Sequence, residues 1–302
     1  MAESSAVATV LVAPDVAGRA DDVRRALERH ALLHELRVLD RVEDAGGAAR
    51  LSIAEGRRFV VAVGGDDLVH EVVNGMIEGD APPAEPPLLG VLAAGIDNEF
   101  LRQFGLPMDI DAASNHLAGD QVYAIDIGRA TYTSSDGTER RCCFANIAQV
   151  GLGAEMAARA GRSLGGVDRR RLFLAFWRSL LRSRRAEVHV EAARQVYDGR
   201  AREVVIGNGR YGPGGFRVSP RSFPGDGVFE VLVHHGPRSQ AFTTLPAAIQ
   251  GEQLPSPHIT EMRGNRVRVT SDPALAVAVD GRAVGRTPAS FEVLPRAVLL
   301  KV

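Results

Sequence analysis

Short apolar runs alternate with amphipathic stretches through the first third of the chain. Ala8–Ala13 (ATVLVA) predicts a strand, and Ala20–His30 carries its charges at helical spacing. Leu36–Leu39 predicts a second strand and Ala45–Glu55 a second helix. Phe59–Val63 (FVVAV) is apolar throughout, as a parallel strand covered on both faces must be. It stops at Gly64-Gly65, Leu68–Ile77 then reads as a helix, and Leu88–Leu92 (LLGVL) is another buried strand. This order predicts an α/β domain with an open parallel sheet, whose ligands bind at the carboxyl ends of the strands.

From about Val122 the pattern changes. Strands are expected at Ala124–Ala130, Arg141–Ile147, Glu187–Glu191, Glu203–Asn208, Gly227–His234, Arg266–Thr270, Leu275–Val279 and Ser290–Leu294. Ser134-Ser135-Asp136-Gly137 marks a hairpin turn, and one helix is expected over Arg169–Arg182. The chain therefore divides into an α/β domain of residues 1–121 and a mostly antiparallel β domain of residues 122–302.

Composition narrows the function classes. Among 302 residues, 36 Lys and Arg oppose 37 Asp and Glu, a net charge of −1 that argues against a nucleic-acid binder. With 45% hydrophobic and 24% charged residues there is material for a core. The two cysteines, Cys142 and Cys143, are adjacent and suit neither a disulfide scaffold nor a zinc site. No run reaches the roughly 20 apolar residues of a membrane span. Met1–Ala8 has no basic stretch of the kind that opens a secretory signal, so a cytoplasmic protein is expected.

Candidate chemistry gathers in four stretches. Val63–Gly75 (VGGDDLVHEVVNG) takes a strand into a helix through two glycines and two acids. Glycines let backbone N–H groups approach a ligand, and a helix N-terminus favours an anion. The same turn also suits Asp66 or Asp67 as a helix cap. Leu92–Arg102 (LAAGIDNEFLR) repeats the arrangement with Gly95, Asp97, Asn98 and Glu99. Asn208–Gly227 is loop-rich and places Asp226 in a Gly-Asp-Gly turn, as turn-former or metal ligand. Val279–Arg282 (VDGR) alone is a hairpin turn. In the Arg-rich segment, Arg171, Arg178, Arg182 and Arg185 share a helical face, with Leu172, Phe173, Phe176, Leu180 and Leu181 away from it. Such a helix packs on a core with a solvated Arg face, or rests on anionic lipid as a peripheral membrane contact.

Together, in this order, these stretches resemble the diacylglycerol kinase and bacterial lipid kinase family, which includes sphingosine and ceramide kinases. Ala13–Gly18 looks like the family's opening Asn-Pro-x-x-Gly turn, with Ala13 for Asn. Gly64–Leu68 is similar to its GGDGT phosphate loop, and His70–Gly75 to the helix after it. Gly95–Phe100 falls on GTxNDF, Asp226-Gly227 on its second-domain signature and Asp280-Gly281-Arg282 on DGE. The resemblance implies a β-sandwich-like second domain, with ATP and lipid acceptor meeting in a cleft between domains. The binding side would comprise Gly64, Gly65, Asp66, His70 and Asn98, with Asp226 as a metal ligand.

The departures from the family pattern set the functional expectation. Asp67 and Leu68 replace Gly and Thr, Ile96 and Asp97 alter the second segment, and Glu99 stands for Asp. Two like charges about 4 Å apart repel by roughly 4 kcal/mol at an effective dielectric near 20. Arg282 replaces the acid that resembles a general base, and a guanidinium cannot take a proton. The expectation is loss of ATP-dependent phosphoryl transfer. The cleft would instead bind and transform an apolar or amphipathic small molecule by acid/base chemistry, with Asp67, Asp97, Glu99 and Arg282 as catalytic groups and no cofactor. The alternatives are an active ATP- and Mg²⁺-dependent lipid kinase and a non-catalytic ligand-binding protein.

Overall fold

The computed structural model describes residues 7–77, 79, 83–94, 98–160 and 169–302. The chain divides into two compact units, one of residues 1–127 with 294–302 and one of residues 128–293.

The first unit contains β1 (Ala8–Val12), α1 (Ala20–Arg29), β2 (His34–Val38), α2 (Asp44–Ala54), β3 (Phe59–Val63), α3 (Asp66–Met76), β4 (Leu88–Leu92), α4 (Glu99–Phe104) and α5 (Ile110–Ala118). The strands lie in the order β2-β1-β3-β4, every pair parallel. Leu299-Leu300 add one more parallel rung beside Leu88-Leu89. Every residue of β3 is buried, which is why its sequence shows no polar alternation. Helix α1 buries Val23, Ala26 and Leu27 and pairs its outer charges, Arg24 with Asp21 and Arg25 with Asp22. Helices α2 and α3 meet backbone to backbone. A Cβ on Gly75 would lie 2.1 Å from the Gly46 carbonyl oxygen.

β5 (Val122–Thr133) follows, and the second unit continues with β6 (Glu139–Phe144), β7 (Ile147–Gly151), α6 (Leu152–Ala160), α7 (Arg169–Arg182), β8 (Ala186–Ala192), β9 (Gln195–Ala201), β10 (Glu203–Gly207) and β11 (Phe229–His234). It ends with α8 (Ala241–Gln250), β12 (Ile259–Gly264), β13 (Arg266–Asp272), β14 (Ala276–Val279) and β15 (Arg282–Lys301). One antiparallel ladder runs β12-β11-β10-β7-β14-β15 and another β9-β8-β13-β15. Side chains of both fill one core, with Val204, Ile206, Phe229 and Val231 from the first and Val188, Val190, Val267 and Val269 from the second. This is the expected mixed architecture of a parallel α/β part and an antiparallel, sandwich-like part.

Strand alternation gives the first ladder a second face. Val204 and Ile206 enter the sandwich core, so Glu203 and Val205 point the other way. By the same rule Leu232 and His234 of β11 and Gln149 of β7 share that outer face. Among its described residues the second unit has three α-helices where the sequence suggested one, and they lie on or near this face. No helix among the described residues is long and apolar enough to cross a membrane.

The α2–α3 contact is directly testable. Gly75→Ala should lower the urea midpoint by the equivalent of about 1–3 kcal/mol, because backbone cannot yield to the new methyl. Gly47→Ala, with nothing within 4 Å of the added carbon, should leave the midpoint unchanged or raise it.

Candidate active site

The β3–α3 turn is built by close packing. Gly64 donates its N–H to Leu92 O at 2.9 Å, and a Cβ there would lie 2.9 Å from Ala13 Cβ and 3.2 Å from Leu68 Cδ2. Leu68 is 1% exposed and is a wedge beneath the turn. Gly65 is the N-cap of α3, in extended conformation and with no side-chain cap. The helix starts two residues earlier than the sequence pattern indicates, so Asp66 and Asp67 both fall in its first turn.

Asp66 reaches across to α4, where its carboxylate accepts from the N–H groups of Glu99 (3.1 Å) and Phe100 (3.0 Å). Asn98 is fully buried and ties the same two segments together. Its Nδ2 donates to Gly64 O (3.0 Å), and its Oδ1 accepts from Leu101 N–H (2.8 Å) as the N-cap of α4. Glu99 is 4% exposed, with its Oε2 3.4 Å from Arg102 Nε. His70 is buried one turn into α3, with Asn74 Nδ2 2.8 Å from its carbonyl oxygen. Asp67 is half-buried. Gly95, Ile96 and Asp97 lie outside the described residues.

In the second unit Asp280 is 7% exposed and adopts a positive φ of 44°. Its carboxylate accepts from the N–H groups of Ala145 (3.0 Å), Asn146 (2.9 Å) and Ile147 (3.2 Å). Asn208 closes the same turn, donating from Nδ2 to Ala145 O at 2.7 Å and from its backbone N–H to Asn146 O at 3.0 Å. Asp280 and Asn208 thus organise one loop between them. Arg282 is half-buried and opens β15 just beyond. Asp226 accepts from Val228 N–H and pairs with Arg263 Nη2 at 2.7 Å. The described residues contain no group of three or more His, Cys, Asp or Glu that could hold a metal. Burial pushes the Cys142 thiol up to about 12 and the Cys143 thiol to about 11, so both stay protonated.

A cavity of about 150 Å³ lies within the second unit. Leu172, Phe173, Phe176 and Leu180 of α7 and Leu245 and Ala248 of α8 give it apolar walls. Gln149, Glu203 and His234 supply polar groups from the outer face of the ladder. Glu203 Oε1 accepts from Gln149 Nε2 (2.8 Å) and Gly153 N–H (3.1 Å). Desolvation raises the Glu203 pKa to about 7 and lowers that of His234 to about 4. The available signal was an acid opening an otherwise apolar strand, EVVIG.

Comparison with known proteins matches both parts of the chain. Residues 14–130 match the diacylglycerol kinase catalytic domain, and residues 145–302 match the YegS C-terminal NAD kinase beta sandwich-like domain. The chain belongs to the diacylglycerol kinase and YegS lipid kinase family. A Bacillus subtilis (strain 168) protein named diacylglycerol kinase is 28% identical over 262 residues, which cover 84% of this chain and 81% of the relative. An Enterobacter sp. (strain 638) protein named "Probable lipid kinase YegS-like" is 28% identical over 250 residues, covering 80% and 77%. The crystal structure of a diacylglycerol kinase from Bacillus anthracis str. Sterne shares the fold, with TM-score 0.71 at 18% identity, covering 98% of this chain and 96% of that one.

These matches overturn the expected loss of phosphoryl transfer and conversion to acid/base chemistry. Both kinase-family domains are recognisable through the substituted motifs. The structure also removes part of the physical case. Asp66 and Glu99 do come to one sheet edge, but the Asp66 carboxylate is bound by two peptide N–H groups, and Glu99 has Arg102 beside it. Both acids thus have partners within the strand-end segments and are not gathered as a bare acid cluster.

Two stability measurements check these assignments. Asp280→Ala should cost at least about 2 kcal/mol, read as a lower denaturant midpoint, because three N–H groups lose their acceptor; Asp280→Asn should recover part. Glu203 works through proton linkage. Folding raises its pKa from 4.5 to about 7, so its contribution is complete below the unfolded value and is lost as pH rises through the folded one. Glu203→Gln should therefore gain thermal midpoint over wild type as pH rises from about 5 to about 8. His234 titrates in both proteins and cancels.

Proposed function

We propose that this protein is an ATP-dependent lipid kinase that phosphorylates the hydroxyl of a diacylglycerol-type acceptor. The observation that carries this reading is the pairing of a diacylglycerol kinase catalytic domain over residues 14–130 with a YegS-type domain over residues 145–302 in one chain. The strand-end turn suits a phosphate. Gly65 caps α3 in extended conformation and brings no side chain to the turn, and a helix N-terminus favours an anion. Asp66 and Asn98 brace the turn and act as positioning residues.

Phosphoryl transfer depends on orientation and charge neutralisation more than on a strong base. Loss of an acid at Arg282 is therefore compatible with phosphoryl transfer. Mg²⁺ is held by one or two carboxylates together with nucleotide phosphates, so a protein-only cage is not required. Asp67, half-buried in the first turn of α3, is the carboxylate we assign to it. When bound, the ion neutralises charge on the phosphate oxygens. The apolar cavity of the second unit is assigned to an acyl chain.

The same helices suit a bilayer surface. Phe173 (49%), Leu174 (61%) and Leu181 (70%) of α7 and Phe242 (68%) of α8 are exposed, and Trp177 packs against Phe242 with ring centroids 4.6 Å apart and planes tilted by 39°. Arg171, Arg178 and Arg182 are exposed on α7, which ends before Arg185. Exposed apolar groups beside arginines match an anionic membrane.

The decisive assay follows radiolabel from the γ-phosphate of ATP into dioleoylglycerol in mixed micelles with Mg²⁺. Lipid-phosphate product is expected, and its absence with ATP, Mg²⁺ and a panel of acyl glycerols would reject the reading. Asp67→Asn should raise the Mg²⁺ requirement roughly tenfold, worth about 1.4 kcal/mol. Leu174→Ser with Leu181→Ser should reduce pelleting with phosphatidylglycerol vesicles while leaving the fold intact by circular dichroism.

A further inference from the structure

We propose that the cavity of the second unit selects ester-linked acyl lipids, with Glu203 donating a hydrogen bond to an acyl carbonyl. This rests on the lipid-substrate reading above. Glu203 opens β10, with Gly151 of β7 and His234 of β11 as its cross-strand neighbours. Alternation turns its side chain to the helix-covered face, where it lines a cavity otherwise walled by Leu172, Phe176, Leu180 and Leu245.

The carboxyl is held in a built seat. Gln149 Nε2 and Gly153 N–H both donate to Oε1, and a side chain at position 153 would push both groups aside. A Cβ there would lie 2.1 Å from Gln149 Nε2 and 2.7 Å from Glu203 Oε1. With Oε1 occupied, Oε2 is the oxygen available to the cavity. Desolvation outweighs these two donors and raises the pKa to about 7, so the carboxyl is mostly protonated at about pH 6. Protonated, Oε2 is a donor. An ester carbonyl is the matching acceptor, and an ether oxygen is a weaker one.

Among the described residues that line the cavity, Glu203 is the group whose charge changes in this range. His234 is held neutral, with its pKa lowered to about 4. Arg202 and Arg238 line the cavity but direct their guanidinium groups to Ser183, Arg202 at 3.0 Å from its carbonyl oxygen. On α6, Glu155 pairs with Arg159 at 3.2 Å. Arg171, Arg178 and Arg182 of α7 are exposed, and α8 (AFTTLPAAIQ) contains no titratable side chain.

The test uses the full chain without nucleotide. Trp177 is the only tryptophan, and its ring lies 5.5 Å from Phe176 and 5.9 Å from Phe173, both on the cavity wall. Its fluorescence is titrated with dioctanoylglycerol and with the corresponding dioctyl diether. At about pH 6 the ester should bind about threefold to tenfold tighter, the range of one net hydrogen bond. At about pH 8.5 the preference should vanish as Glu203 ionises. Glu203→Gln, which keeps a neutral donor, should hold the preference at both pH values, and Glu203→Leu should lose it at both. Equal binding of ester and ether by wild type at about pH 6, an undiminished preference in Glu203→Leu, or no binding of either lipid would overturn the proposal. Selective ester binding without phosphorylation would sink the kinase reading alone. Phosphorylation without ester preference would sink this inference alone.

Discussion

Asn98 and Asp66 impose the constraint on which the first unit's chemistry depends. A parallel sheet ends in a row of turns, and a ligand site there is only as well defined as the backbone of those turns. Asn98 binds the Gly64 carbonyl and caps α4, while Asp66 accepts from the first two N–H groups of α4. Three hydrogen bonds thereby tie the glycine turn to the start of α4, and the fourth caps that helix. The side chains doing this are acids and amides because the groups to be satisfied are peptide N–H and C=O at helix starts.

The second unit solves the corresponding problem with Asp280. Three consecutive peptide N–H groups of residues 145–147 converge on one buried carboxylate, itself held at positive φ. Asn208 closes the loop from the other side. The sandwich core keeps apolar side chains on one face of the ladder, so Gln149, Glu203 and His234 collect on the other, where helices α6, α7 and α8 supply the apolar cover.

Much of this was legible in the sequence. The continuous apolar runs of β3 and β4 announced a buried parallel sheet, and the glycine turns after them marked the ligand edge. The elements that were missed lack such signals. Strand β9 (QVYDGRA) is largely exposed and has no apolar alternation, α8 carries Thr and an internal Pro, and α4 is six residues long. The functional error had a physical origin. A carboxylate at Asp67 repels a triphosphate only where no cation lies between them, and Asp66 and Glu99 each have hydrogen-bond or ion-pair partners of their own. Glu203 escaped notice because a single acid at a strand start looks like surface until tertiary packing covers it.

Calorimetric titration of the purified chain with ATP, in the presence and absence of Mg²⁺, probes the braced glycine turn most directly. Saturable binding that strengthens with Mg²⁺ is the expected result. No heat of binding with the metal present, from a protein whose circular dichroism shows it folded, would contradict the assignment of this turn to nucleotide phosphate.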